Sequence, residues 1–177
     1  MLSRIPLPSV EYLQQCYQFD GGTLYWRERP RSHYKLASRY QAHLKLVGTP
    51  VRLKCNFGYS RVKLNGKYIF VHRIVWKMHH GTEPNHIDHI DGDRSNNRIV
   101  NLRECTQSQN FFNAARPKNN TSGYKGVTRR KGCAHWSAFI GDNGRARLIG
   151  NYQTKEEAAD AYFAEAQRVA GEFARRG

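Results

Sequence analysis

Acidic residues and cysteines are both scarce in this chain. Of its 177 residues only 14 are Asp or Glu against 29 Lys or Arg, which leaves a formal net charge of +15. A surface so short of carboxylates suits a polyanion, and binding to phosphates by counterion release is strongly salt-dependent. The four cysteines, at 16, 55, 105 and 133, form no CxxC and no Cys–His pair at zinc-finger spacing. Reduced structural thiols are therefore expected, with no disulfide framework and no structural zinc. No apolar run approaches the roughly 20 residues of a membrane span, and MLSRIPLPSVEYLQQ is not apolar enough for a signal peptide. These absences point to a cytoplasmic protein with a nucleic-acid partner and no membrane association. The length allows one domain or two small ones.

Residues 1–58 carry the weakest pattern. Val10, Leu13 and Tyr17 at helical spacing predict a short helix ended by Gly21-Gly22, and Thr23–Arg27 predicts a strand. A basic stretch then runs to about Lys54, with Arg29, Arg31, Lys35 and Arg52 interleaved with Tyr34 and Tyr40. It reads either as a solvated segment or as an N-terminal arm tracking a DNA backbone, since basic and aromatic side chains together suit phosphates and base faces.

The pattern sharpens over 59–116. Tyr59–Leu64 and Lys67–Val71 flank Asn65-Gly66, a type I′ hairpin signal, and His72–His80 has helical periodicity up to Gly81. A strand is expected at His86–Ile90, a turn at Asp91-Gly92-Asp93 and a returning strand at Arg98–Leu102. Thr106-x-x-Gln109 is a capping box opening a helix over Gln107–Ala115.

That order can gather the parts of a hydrolytic phosphodiester site. Asp88 offers a charged oxygen and Asn110 a neutral one, a hard donor set for Mg²⁺ or Mn²⁺ completed by water and a phosphate oxygen. His89 can take a proton from water, with Asn97 a candidate to hold its other ring nitrogen. Asn101 suits a structural bond across the loop. The alternative metal pair is His86 with Asp88, which alternate onto one strand face. Asp91 and Asp93 suit backbone capping better than cation binding. His72 could touch a phosphate or cap the helix that begins there.

Residues 59–115 resemble the HNH nuclease family, in its phage and intron homing-endonuclease branch, through VHRIVW (71–76), DHIDGDRSNN (88–97), NLRE (101–104) and QSQNFFN (107–113). The resemblance implies a ββα-metal fold with Asp88 and Asn110 as metal ligands, His89 as general base and Asn101 as the structural Asn. It also implies a phage-encoded protein acting in the host cell.

After a polar linker at 117–122, three strand-like runs (Tyr124–Arg129, Trp136–Ile140, Arg145–Tyr152) precede a second capping box, Thr154-x-x-Glu157, and a helix to about Gly171. Asn143-Gly144 is a second hairpin signal. Ala159, Tyr162, Ala166, Val169 and Phe173 form its apolar stripe. Through YKGV, HWSAFI, IGNY and EEAADAY, residues 123–173 resemble the plant ethylene-response-factor DNA-binding domain, a three-stranded antiparallel sheet packed on one helix. By that analogy Lys125, Thr128, Arg130, His135, Arg145 and Arg147 would contact DNA. A one-residue slip would exchange Arg145 and Arg147 for Ala146 and Leu148.

The expectation is thus an α+β protein with a nuclease core at 59–116 and a DNA-binding domain at 123–173. It would cut double-stranded DNA, as a monomer or a dimer. The alternatives are a non-catalytic DNA-binding regulator, and an RNA-binding protein.

Overall fold

The computed structural model describes residues 6–51, 53–54, 57–117, 119–142 and 144–176. Arg52, Cys55, Lys118 and Asn143, the last half of the second Asn-Gly turn, lie outside them. The chain is a mixture of helices and small antiparallel sheets, an α+β organisation, in two compact units that divide at Glu104/Cys105. That boundary falls earlier than the expected linker at 117–122.

In the first unit, α1 (Val10–Cys16) is capped by Ser9, whose hydroxyl accepts from Tyr12 N. Gly21 and Gly22 do not end this helix. Both have positive φ and form the turn of a hairpin, β1 (Tyr17–Asp20) and β2 (Thr23–Trp26). A Cβ at Gly22 would stand 2.7 Å from Arg98 Cγ, so the glycine lets this hairpin lie against the chain around residue 98. The basic stretch is folded rather than an arm. A 3₁₀ turn (Arg31–His33) and α2 (Ala37–Leu44) lead to β3 (Leu53–Lys54). Leu13, Cys16, Tyr17, Leu24 and Val51 share one core with Val62, Leu64, Ile74 and Leu102.

β4 (Ser60–Leu64) and β5 (Lys67–Phe70) pair around Asn65 and Gly66, at φ 50° and 82°, the two positive values that a type I′ turn needs. β3 completes the sheet beside β4. The helix α3 (Val71–His80) follows and ends on left-handed Gly81, with Val71, Ile74 and Val75 buried. β6 (His86–His89) pairs with β7 (Leu102–Cys105). The returning strand therefore starts at Leu102 instead of Arg98. Residues Ile99–Asn101 form a 3₁₀ turn, and Val100 is 82% exposed although it is apolar.

The second unit opens with α4 (Gln107–Asn113), whose capping box is formed by Thr106 and Gln109. A sheet ordered β10-β9-β8 follows, from β8 (Val127–Thr128), β9 (Trp136–Asp142) and β10 (Arg145–Tyr152). α5 (Lys155–Ala170), opened by the Thr154/Glu157 box, packs on all three strands. Ala158, Ala159, Ala166 and Ala170 are its buried small residues; Val169, expected in the stripe, is exposed. Phe112 of α4 belongs to the same core as Val127, Ile140, Tyr162 and Phe173. Gly126, at φ 69°, is required by that packing, because a Cβ there would stand 2.2 Å from the Tyr162 ring.

Candidate active site

The loop between β6 and β7 is organised by its own side chains. Asp91 Oδ1 accepts from Asp93 N at 2.8 Å, and Asp93 Oδ1 accepts from Ser95 N at 2.9 Å and from Ser95 Oγ at 2.7 Å. Both acids act as backbone caps of the turn. Asn101 ties the loop to its base. Its Oδ1 accepts from Asp91 N at 3.0 Å, and its Nδ2 donates to Asp91 Oδ1 at 3.0 Å and to Asn96 O at 2.8 Å. Its backbone carbonyl accepts from Ile90 N at 2.9 Å. These bonds need residues 99–101 in a turn, which displaces the strand expected there.

The tied loop brings Asp88, His89 and Asn97 together in the interior of the first unit, each no more than 5% exposed. Asn97 Nδ2 donates to Ser95 O at 3.2 Å, which turns the amide oxygen toward His89 Nε2, also at 3.2 Å. An acceptor at that position selects the Nε2–H tautomer and leaves the imidazole lone pair on Nδ1. Burial holds the His89 pKa below its ordinary value, partly opposed by the Asn97 bond and by Asp88, Asp91 and Asp93. The ring is neutral at pH 7. Asn97 is also in the wall of a cleft of about 470 Å³ lined by Gly22, Thr23, Tyr25, Pro50 and Ser60.

Three residues join the site in roles that the sequence pattern did not give them. His72 sits edge-on to His89, with ring centres 5.2 Å apart at 80°, and Phe70 stacks on His72 at 5.5 Å. Tyr59 packs on both imidazoles, 5.3 Å from His72 and 5.8 Å from His89. Burial pushes the His72 pKa down to about 3, so no second positive charge sits beside His89 at neutral pH. The third is Arg103, whose Nε and Nη2 each lie 3.0 Å from Asp88 Oδ2. Sequence offered one signal for this pair: Arg103 belongs to the strand returning beside Asp88. Ending the expected strand at Leu102 left Arg103 outside it.

Asn110 lies half-buried on α4, in the second unit. The expected DNA-contacting side chains are dispersed. Arg29 is not on an open arm: its guanidinium lies over Trp26 at 5.7 Å and Tyr34 at 5.1 Å, and 3.4 Å from His43 Nδ1. Arg31 bonds the Tyr34 carbonyl, while Lys35 is exposed. Lys125 is a correction too: it is 6% exposed, and its ammonium donates to Phe112 O at 2.6 Å and Ala114 O at 2.8 Å. Thr128, Arg130, His135 and Arg145 are exposed.

Arg147 lies opposite buried Ile140 and Arg145 opposite Asp142, so both arginines are on the face toward α5, where Arg147 pairs with Glu165. The other face of β10 carries Ala146 and Leu148. The alternation expected for 145 and 147 is present, but it turns them away from the open face.

Residues 69–111 match the HNH endonuclease family. The chain is 32% identical over 141 residues to an uncharacterized HNH endonuclease of Acanthamoeba polyphaga mimivirus, covering 80% of this chain and 68% of that one. It is 33% identical over 106 residues to Protein 3.8 of Escherichia phage T7, covering 59% of this chain and 87% of the phage protein. No solved structure matches. The chain belongs to the HNH endonuclease family, and a nuclease is the class of enzyme that this membership defines. Among the described residues no helix is long and apolar enough to cross a membrane.

Proposed function

We propose that this protein is a metal-dependent, site-directed DNA endonuclease of the homing type, built on a ββα-metal core. His89 is the general base, and Asp88 and Asn110 hold a single Mg²⁺ or Mn²⁺. The observation that carries the reading is the buried imidazole of His89, oriented by Asn97 and adjacent in sequence to a buried carboxylate.

The donor set fits such an ion. A carboxylate and an amide oxygen are hard ligands that suit Mg²⁺ or Mn²⁺. Among the described residues no group of three His, Cys, Asp or Glu is placed to hold a metal, so water and substrate oxygens would complete the shell. When bound, the ion would supply charge stabilisation at the scissile phosphate and at the leaving 3′ oxygen.

The protein's own residues do the rest. Asn97 holds His89 Nε2–H, so Nδ1 accepts the proton of the attacking water. Neutral His72 and Tyr59 pack around the imidazole and limit its rotation as it becomes charged. Asn101 keeps the loop closed beneath it. One site per chain cuts one strand per binding event, so double-strand cleavage requires a dimer or a second encounter.

The ion pair between Arg103 and Asp88 favours a second reading, a non-catalytic DNA-binding protein, because the guanidinium competes with a metal for the carboxylate through Oδ2. Supercoiled-plasmid nicking separates the two. The nuclease reading expects nicks with Mg²⁺ or Mn²⁺, none with chelator, and none from His89→Ala. Wild-type protein that binds DNA but never nicks it under any divalent ion establishes the second reading.

A further inference from the structure

α4 closes the segment that matches the HNH endonuclease family, yet its packing belongs to the second unit. Phe112 lies in one core with Val127, Tyr162 and Phe173, and the Phe112 carbonyl also accepts from Arg175 N at 3.4 Å. The strongest tie is Lys125. Its buried ammonium donates to Phe112 O at 2.6 Å and Ala114 O at 2.8 Å, with Phe111 O at 3.4 Å. These carbonyls close the C-terminal end of the helix, where orphan acceptors and the helix dipole both favour a cation. A helix of seven residues does not persist alone in water, so the contacts that hold it decide where it forms. Lys125 has little freedom to move, because Gly126 next to it touches the Tyr162 ring. Burial lowers its pKa to about 8, which leaves it mostly charged at neutral pH.

We propose that Lys125 is a positioning residue of the nuclease: it seats α4, and with it Asn110, on the β8–β10/α5 module. That module is then part of the catalytic apparatus and not a detachable DNA-binding appendage. The proposal rests on the reading of Asn110 as a metal ligand.

The test uses full-length protein and the variants Lys125→Met, Lys125→Arg and Asn110→Ala. Nicking is measured against Mg²⁺ concentration at saturating plasmid, and duplex affinity is measured in chelator. Removing a group that orients a metal ligand costs about tenfold or more in metal affinity or activity. Lys125→Met should therefore raise the half-saturating Mg²⁺ concentration by about tenfold, leave duplex affinity in chelator within about threefold, and be partly rescued by Lys125→Arg. If Lys125→Met instead weakens duplex binding and leaves the Mg²⁺ dependence unchanged, Lys125 is a phosphate contact and the proposal is overturned.

Asn110→Ala separates the two layers. If it shifts the Mg²⁺ dependence and Lys125→Met does not, the seating idea fails alone. If Asn110→Ala shifts nothing, the ligand reading fails, and hydrogen exchange of the wild-type protein then decides the seating. The same measurement decides it if Lys125→Met does not fold. Amides of α4 exchanging in one cooperative unit with α5 support it; amides of α4 exchanging independently of α5 overturn it.

Discussion

The two units place buried polar groups to opposite ends. In the first, Asp88 and His89 at the end of β6 are buried with Asn97 and Asn101 of the segment that follows, and these are groups that can exchange a proton or hold an ion. In the second, alanines and Tyr162 form a close helix–sheet contact, and the buried cation Lys125 is committed to helix carbonyls. Burying polar groups costs stability unless each is hydrogen-bonded, and the segment from β6 through the loop after it meets that condition with the Asn101 and Asn97 networks. A buried polar cluster on a loop is thus the better marker of chemistry here. A buried lysine in the turn before β8 marks geometry.

The sharpest way to break this contrast is to remove the base. His89→Ala should lower the nicking rate by about 10²-fold or more while duplex affinity in chelator changes little. Residual cutting at the wild-type rate would remove His89 from the chemistry. Burial also sets the direction of the pH profile: because the His89 pKa is lowered, the acid limb of nicking should lie below the ordinary histidine value of 6.5.

Next in size is the structural half of the loop. Asn101→Ala removes three half-buried side-chain hydrogen bonds, each worth about 1 kcal/mol, so a loss of roughly 2–4 kcal/mol is expected by chemical denaturation of the full chain. A loss below about 1 kcal/mol would show that the loop holds without this tie.

Acid should act on the two units unequally through His72. Its folded pKa is about 3 against 6.5 when unfolded. Between those values the unfolded chain takes a proton that the folded chain does not, so stability falls as pH drops from 6.5 toward 3. The limiting slope is about 1.4 kcal/mol per pH unit from this one group. His72→Phe should flatten that part of the profile, followed by Trp fluorescence of the first unit against pH; an unchanged slope would mean that His72 is protonated in the fold.

The smallest effects belong to surface arginines. Arg130→Ala should reduce the salt dependence of duplex binding by about one counterion, whereas Arg147→Ala, paired with Glu165 on the helix side, should not. Equal losses at both positions would place Arg147 on DNA.

Legibility followed the range of the interactions involved. The Asn65-Gly66 hairpin, the Thr106 and Thr154 capping boxes and the Gly81 stop were readable because each depends on residues within a few positions. Ile99-Val100-Asn101-Leu102 misled, because an apolar run reads as a strand while the Asn101 side chain requires a turn. The helix at Val10–Cys16 and the strand at Thr23–Trp26 were readable, but residues 27–51 were not, because aromatic and basic side chains there satisfy one another across the fold: Trp26, Arg29, Tyr34 and His43 lie well apart in the chain. The Arg103–Asp88 pair depended on strand register, and His72 against His89 on how α3 packs.

Sequence by itself determined the cast of this protein: an excess of cations, a carboxylate–imidazole pair followed by three asparagines, and the local turns and caps. These follow from residue chemistry and from interactions only a few residues long. Tertiary structure decided the assignments, with Arg103 on the carboxylate, His72 beside the imidazole, Lys125 beneath a helix and Arg147 facing another. Partners far apart in the chain meet only when the cores close, and no local pattern encodes that meeting.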